Sequence, residues 1–276
     1  MRIRSLSLLF LCFALAIEVS AQTATTKEVE VYSRKMERNI KNTIILPAGY
    51  ESSGDTEYPV LFLLHGYGGN NATWSQVTKK TLADEASRYQ IIIVCPNGEN
   101  SWYWDSPQNP ESQFETYVSK ELVGYVDSTY RTKSSPKGRA ITGFSMGGHG
   151  GLWLGINHPC VFGACGSLSG GVDIRPFPNS WEMKNALGKY EENKAVWDNH
   201  TVINQLHKIK PNTLSIIIDC GTGDFFYDVN IRLHKKMLQM NIAHDFIVRP
   251  GVHDHDYWHN AIDYQLLFFS KFFQND

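Results

Sequence analysis

The stretch Arg139-Ala140-Ile141-Thr142-Gly143-Phe144-Ser145-Met146-Gly147-Gly148 sets one serine between glycines, directly after a short apolar run. A five-residue Gly-x-Ser-x-Gly match arises often by chance, so its surroundings carry the information. A nucleophile elbow needs a strand before the serine, a helix after it, and glycines where the backbone folds back sharply. Residues 140–143 read as the strand and 146–158 as the helix, so Ser145 is read as a nucleophile rather than as a helix cap. Such a serine needs an oxyanion site, a base and an acid from elsewhere in the chain.

Upstream, Leu63-Leu64-His65-Gly66-Tyr67-Gly68-Gly69 closes another apolar strand with a glycine-rich turn. Acyl transfer builds negative charge on a carbonyl oxygen, and rigid backbone N–H groups are the usual way to hold it. One such donor comes from a turn of this kind and the other from the residue after the nucleophile, which assigns the pair to the amides of Tyr67 and Met146. A phosphate loop is excluded because neither Gly-x-Gly-x-x-Gly nor a Walker lysine follows. His65 is read as a residue that shapes the turn. Downstream, the strand ending at Cys220 leads into Gly221-Thr222-Gly223-Asp224-Phe225, which puts Asp224 at the carboxyl end of its strand, with Asp219 inside the strand as its rival. The next strand ends in Pro250-Gly251-Val252-His253-Asp254-His255-Asp256-Tyr257-Trp258. His253, first after the turn, is the expected base. His255 competes with it, and His259 falls in the last helix.

Short apolar runs alternate with amphipathic ones along the rest of the chain. Strands are expected at 29–34, 39–46, 60–64, 91–95, 140–143, 164–167, 215–220 and 245–249, and helices at 73–89, 113–130, 146–158, 228–241 and 260–274. The later six strands are continuously apolar, which suits strands covered on both faces. This order predicts an α/β fold: a mostly parallel twisted sheet with helices on both faces and an N-terminal antiparallel pair. No repeat or linker divides residues 22–276. Residues 171–212, with Pro176, Pro178, Trp181 and Trp197, interrupt the alternation and are expected to form a partly helical, cap-like insertion near the site.

The 276 residues carry 26 Lys+Arg against 28 Asp+Glu, a balance that gives no reason to propose nucleic acid or an anionic membrane as partner. With 42% hydrophobic and 20% charged residues, the chain has the composition of a globular protein. Residues 1–21 read as a signal peptide: Arg2 and Arg4 precede an apolar run of 12 residues, Leu6 to Ile17, too short for a bilayer that needs roughly 20. Val19-Ser20-Ala21 supplies small residues for cleavage, so the expected location is secreted or periplasmic with no stable membrane anchor. Beyond the leader stand Cys95, Cys160, Cys165 and Cys220; the spacing of Cys160 and Cys165 allows a bridge without requiring one. Asn71-Ala72-Thr73 and Asn199-His200-Thr201 have the form of glycosylation acceptors.

Taken together, HGYGG, NSWYWDSP (100–107), GFSMGG, CGTGDF (220–225) and GVHDHDYW (251–258) resemble the esterase family of α/β-hydrolases that includes bacterial feruloyl esterases, S-formylglutathione hydrolase, small acetyl and tributyrin esterases and the antigen 85 mycolyltransferases. The resemblance spans nearly the whole chain after the leader, in order. It implies a nucleophile at Ser145, an acid at Asp224, a base at His253, oxyanion amides at Tyr67 and Met146, and no metal or organic cofactor. One departure is His255, where the family more often has tryptophan; it is placed in the pocket wall. Trp102, Tyr103 and Trp104 offer aromatic surface for a phenolic acyl group or sugar ring, or else belong to the core. The expected substrate is a feruloyl or acetyl ester on plant polysaccharide. The alternatives are a general short-chain ester, a glutathione thioester, and a non-catalytic carbohydrate-binding protein on the same scaffold. A metal site built from His253, Asp254, His255, Asp256 and His259 would need ligands from other loops, and no other segment repeats such a cluster.

Overall fold

Val60-Leu-Phe-Leu-Leu64 seeds the centre of the molecule: every residue of this strand is fully buried, and the side chains divide between two cores by the period of two that a strand imposes. Val60, Phe62 and Leu64 face one core, Leu61 and Leu63 the other. The computed structural model describes residues 23–274; the leader expected at 1–21 lies outside the described residues. The strands are β1 (Thr25–Ser33), β2 (Arg38–Leu46), β3 (Val60–Leu64), β4 (Ile92–Pro96), β5 (Arg139–Gly143), β6 (Ala164–Leu168), β7 (Ser215–Gly221) and β8 (Asp245–Arg249). They form one sheet in the order β1-β2-β4-β3-β5-β6-β7-β8, antiparallel at β1/β2 and β2/β4 and parallel elsewhere. The helices are α1 (Leu82–Tyr89), α2 (Phe114–Thr116), α3 (Val123–Thr129), α4 (Met146–Asn157), α5 (Met183–Leu187), α6 (Lys194–Asn199), α7 (Tyr227–Gln239) and α8 (His255–Gln274). Helices α1 and α8 cover the Leu61/Leu63 face, and α3, α4 and α7 the Phe62 face. The expected class, an α/β sheet of mostly parallel strands with an antiparallel N-terminal pair, is the observed one.

Four departures from the sequence reading have identifiable causes. The helix expected over 73–89 breaks after a π-helical turn at Trp74–Thr78, because the Lys79 ammonium is drawn inside to pair with Asp263 at 2.6 Å. The helix over 113–130 contains a π-helical stretch at Tyr117–Leu122 between α2 and α3; there the Ser119 hydroxyl donates to the Glu115 carbonyl, competing with the regular ladder. Helix α8 starts at His255, five residues earlier than expected, since the Asp254 carboxylate accepts from the Tyr257 amide as a cap. Strand β8 is the sheet edge and is half-exposed rather than covered on both faces.

Residues 171–212 carry α5, α6 and two short 3₁₀ turns at Val202–Asn204 and Leu206–Lys208. Cys95, Cys165 and Cys220 are buried and Cys160 exposed, all four unpaired. The Asn71 amide is buried against Glu28 and Thr43, so it is not open to glycosylation in the folded chain, whereas Asn199 is exposed. Among the described residues, no helix is long and apolar enough to cross a membrane.

Candidate active site

Between Gly138 and Ile156 every residue is buried except Ser145. That serine has φ 58° and ψ −118°, a conformation costing a non-glycine residue on the order of 1–3 kcal/mol, and it turns the chain from β5 straight into α4. The turn is this tight because its glycines touch the neighbouring strand: a Cβ on Gly143 would lie 2.4 Å from the Leu64 carbonyl oxygen, and one on Gly147 2.4 Å from Leu64 O and 2.6 Å from His65 O. The Ser145 amide donates to Leu168 O at 2.8 Å, which leaves the side chain to project from the carboxyl edge of the sheet.

Two loops from the same edge reach the serine. The turns after β7 and β8 are tied by Thr222 N to Arg249 O at 2.9 Å and Gly223 N to Gly251 O at 2.8 Å. This holds Asp224 and His253 side by side. His253 Nδ1 lies 2.8 Å from Asp224 Oδ2, and its Nε2 lies 2.9 Å from Ser145 Oγ. The other carboxylate oxygen, Asp224 Oδ1, accepts from the Phe226 amide at 2.7 Å, so the acid is fixed at both ends. Ser145, Asp224 and His253 are therefore brought into one hydrogen-bonded line. Asp219, the rival acid, is completely buried and faces Arg249 and the Tyr257 hydroxyl; burial pushes its carboxyl up to about 6.

The glycine-rich turn after β3 is built around His65. The ring is buried and burial pushes its pKa down to about 4, so it is neutral near pH 7. Gly98 N donates to Nε2 at 2.9 Å, which leaves Nδ1 to donate to Gly66 O at 2.7 Å. Gly68 N is held by Asn100 Oδ1 at 2.8 Å and Gly69 N by Gly66 O at 3.1 Å. Among the described residues, the amides of Tyr67 and Met146 donate to no protein group, although those of Ser145, Gly147, Gly68 and Gly69 all do. The Met146 amide belongs to the first turn of α4, where the helix dipole adds positive potential.

The Esterase family model matches residues 33–269. The chain belongs to the esterase family. This esterase is 26% identical, over 262 residues, to the acetyl esterase of Caldicellulosiruptor saccharolyticus, covering 88% of this chain and 97% of that protein. A solved ferulic acid esterase superposes with a TM-score of 0.79 at 26% identity, over 91% of this chain and 99% of the other. The S-formylglutathione hydrolase of Staphylococcus aureus superposes with a TM-score of 0.78 at 21% identity, over 90% and 99% of the two chains, a likeness that speaks for the α/β-hydrolase fold alone. The esterase is a carboxylic ester hydrolase.

The aromatic surroundings of the site differ from the sequence reading. Trp102 and Tyr103, open to either a substrate-facing or a core role from sequence, are 1% and 0% exposed and take the core role. Both have left-handed backbones, φ 57° and 61°, which turn their rings inward. Trp102 stacks on Trp104, and the Tyr103 hydroxyl donates to His65 O, so this segment supports the turn from beneath. The aromatic surface at the site comes instead from Trp181 and Phe225. Phe225 is 51% exposed, lies 4.1 Å from the His253 ring between centroids, and stacks on Trp181 at 5.7 Å. The CGTGDF motif contains Phe225, and Trp181 lies in the 171–212 interruption expected near the site, though nothing in the sequence separates it there from Trp197. His255 heads α8 with Nδ1 2.9 Å from Thr78 Oγ1 and its ring against Phe144 and Trp258; partial burial lowers its pKa. His259 Nδ1 is 2.9 Å from Thr78 O. The histidines of the 253–259 segment thus diverge, and among the described residues no three His, Cys, Asp or Glu side chains converge on one point.

Proposed function

We propose that this esterase works through a Ser145–His253–Asp224 triad, with feruloyl or acetyl esters on plant polysaccharide as its substrates outside the cell. The observation that carries the reading is the continuous line from Asp224 Oδ2 through both imidazole nitrogens to Ser145 Oγ, at 2.8 and 2.9 Å. As Ser145 Oγ attacks the ester carbonyl carbon, its proton passes to His253 Nε2, while Asp224 holds the Nδ1–H tautomer and stabilises the imidazolium. The carbonyl oxygen gains the negative charge and accepts from the Tyr67 and Met146 amides. His253 then returns the proton to the departing alkoxide, leaving an acyl-serine. Water, deprotonated by the same ring, attacks the acyl carbon and releases the carboxylic acid and free serine. Every proton-moving group in this cycle belongs to the chain.

The substrate reading draws on several independent features. Phe225 and Trp181 give an aromatic face beside His253 suited to a phenolic acyl group. An acetyl esterase and a ferulic acid esterase stand among the relatives. The composition of residues 1–21 favours export, which argues against a cytosolic glutathione thioester. Trp181 lies in the 171–212 segment, which in this reading caps the catalytic domain of residues 22–276. A rate panel with methyl ferulate, acetylated xylan, p-nitrophenyl acetate and a glutathione thioester tests the assignment. The proposal expects the first two to be turned over with the highest kcat/KM; preference for the thioester would overturn the substrate class.

A further inference from the structure

A groove of about 830 Å³, which Ser145 does not line, lies beside the Tyr67 turn. Its walls are the turn between β1 and β2, the loop over 99–112, and α5 of the 171–212 segment. The groove is linked to the proposed oxyanion site through the Tyr67 turn. Two of its lining residues hold the Tyr67 turn directly, Asn100 accepting from Gly68 N at 2.8 Å and Glu182 accepting from the Tyr67 hydroxyl at 2.9 Å.

The walls are preformed. Arg38 donates to both carboxylate oxygens of Glu99, at 2.6 and 3.0 Å, and to Glu111 O at 3.1 Å, fastening the β1–β2 turn to the 99–112 loop. The Ser106 hydroxyl donates to Ala186 O at 2.8 Å, fastening that loop to α5. The lining charges are Lys35 and Arg38 against Glu37, Glu99, Glu111 and Glu182, a balance of −2 that repels an anionic ligand. No aromatic side chain lines the groove. Asn185, exposed on α5, offers both a donor and an acceptor, the equipment needed to bind hydroxyl groups. The volume lies high in the range of roughly 300–1,000 Å³ typical of ligand clefts.

We infer that this groove seats a neutral glycan chain bearing the ester, so that the polymer lies against the β1–β2 turn and α5 while its acyl group reaches Ser145. The inference rests on the polysaccharide substrate proposed above. The test compares two esters with one acyl group, a feruloylated arabinoxylan trisaccharide and methyl ferulate, by the ratio of their kcat/KM values. The native protein should favour the glycan ester at least about tenfold, the equivalent of one or two well-made hydrogen bonds. Asn185→Trp, which fills the groove from a solvent-exposed position, should erase that preference through the KM of the glycan ester, and Asn185→Ala should reduce it severalfold. In the unaltered protein, xylotetraose, which has no ester, should compete with the glycan ester and not with methyl ferulate. A preference that survives Asn185→Trp, or no competition by xylotetraose, overturns the groove while leaving the substrate reading standing. A native ratio near one with brisk methyl ferulate turnover overturns both and leaves only the triad.

Discussion

Residues 138–156 and residues 171–212 do opposite jobs in the same protein. In the first, burial is complete apart from Ser145, and the glycine contacts with Leu64 and His65 leave the backbone no alternative path. In the second, short helices and 3₁₀ turns mix buried and exposed residues, and Trp181 and Glu182 stand in left-handed conformations at φ 48° and 53° with their side chains reaching Phe225 and Tyr67. The contrast teaches that steric necessity places the proposed nucleophile Ser145, whereas the segment carrying Trp181 is built from short elements of mixed burial. Damage to the first region should therefore destroy rate for every ester, and damage to the second should change which ester is preferred.

The largest expected effect is that of Ser145→Ala. Removing a triad nucleophile costs on the order of 10⁶ in kcat, while this exchange of small side chains should leave the melting temperature nearly unchanged. Steady-state rates alongside calorimetry check both halves, and retention of a substantial fraction of the rate in a clean preparation would break the comparison at its root. Gly147→Ala should follow. Its Cβ would meet Leu64 O at 2.4 Å, so β3 and α4 should be forced apart, costing the fold on the order of 1–3 kcal/mol and displacing the Tyr67 and Met146 amides. Urea titration and kcat on p-nitrophenyl acetate should both fall; a variant normal in both would show that the elbow is looser than its contacts imply.

Much of this first region was legible in the sequence, because a strand, a glycine-flanked serine and a helix are neighbours in the chain. Val60–Leu64 and Asp245–Arg249 were readable to the residue for the same reason: short apolar runs closed by glycine or proline turns. The loops bearing Asp224 and His253 could be found because each follows such a strand. What escaped the reading depends on long-range contacts. Lys79 breaks a helix for the sake of Asp263, nearly two hundred residues away in the chain. Trp102 and Tyr103 are indistinguishable from surface aromatics until their left-handed backbones are seen. The early start of α8 is marked in the sequence by the capping residue Asp254.

Asp219 sharpens the contrast between carboxylates on one strand and the turn that follows it. Folding raises its pKa to about 6 through burial, above the roughly 3.9 of an exposed aspartate, so the native state binds this proton more tightly than the unfolded chain. Its contribution to stability is fully present below about pH 4, declines as pH rises toward 6, and is constant above that. Relative to Asp219→Asn, the native protein should lose on the order of 2–3 kcal/mol across that window, read from urea midpoints at several pH values. A flat difference would mean that the Arg249 and Tyr257 contacts, and not burial, set its titration. The smallest effect is expected in the 171–212 segment. Trp181→Ala should lower kcat/KM about tenfold on methyl ferulate and far less on p-nitrophenyl acetate, since only the aromatic acyl group can use that face. Equal losses on both esters would make Trp181 a support for the triad and collapse the division of labour.

The most direct test of the central claim is to trap the acyl-enzyme. The protein is mixed with p-nitrophenyl acetate, quenched in acid within the first turnover, digested, and read by peptide mass. The account predicts one acetyl group on Ser145, formed at the native rate in His255→Ala and essentially absent in His253→Ala, because without its base the hydroxyl is too weak a nucleophile. Acetylation at another residue, or a His253→Ala protein that acylates as fast as the native one, would contradict it.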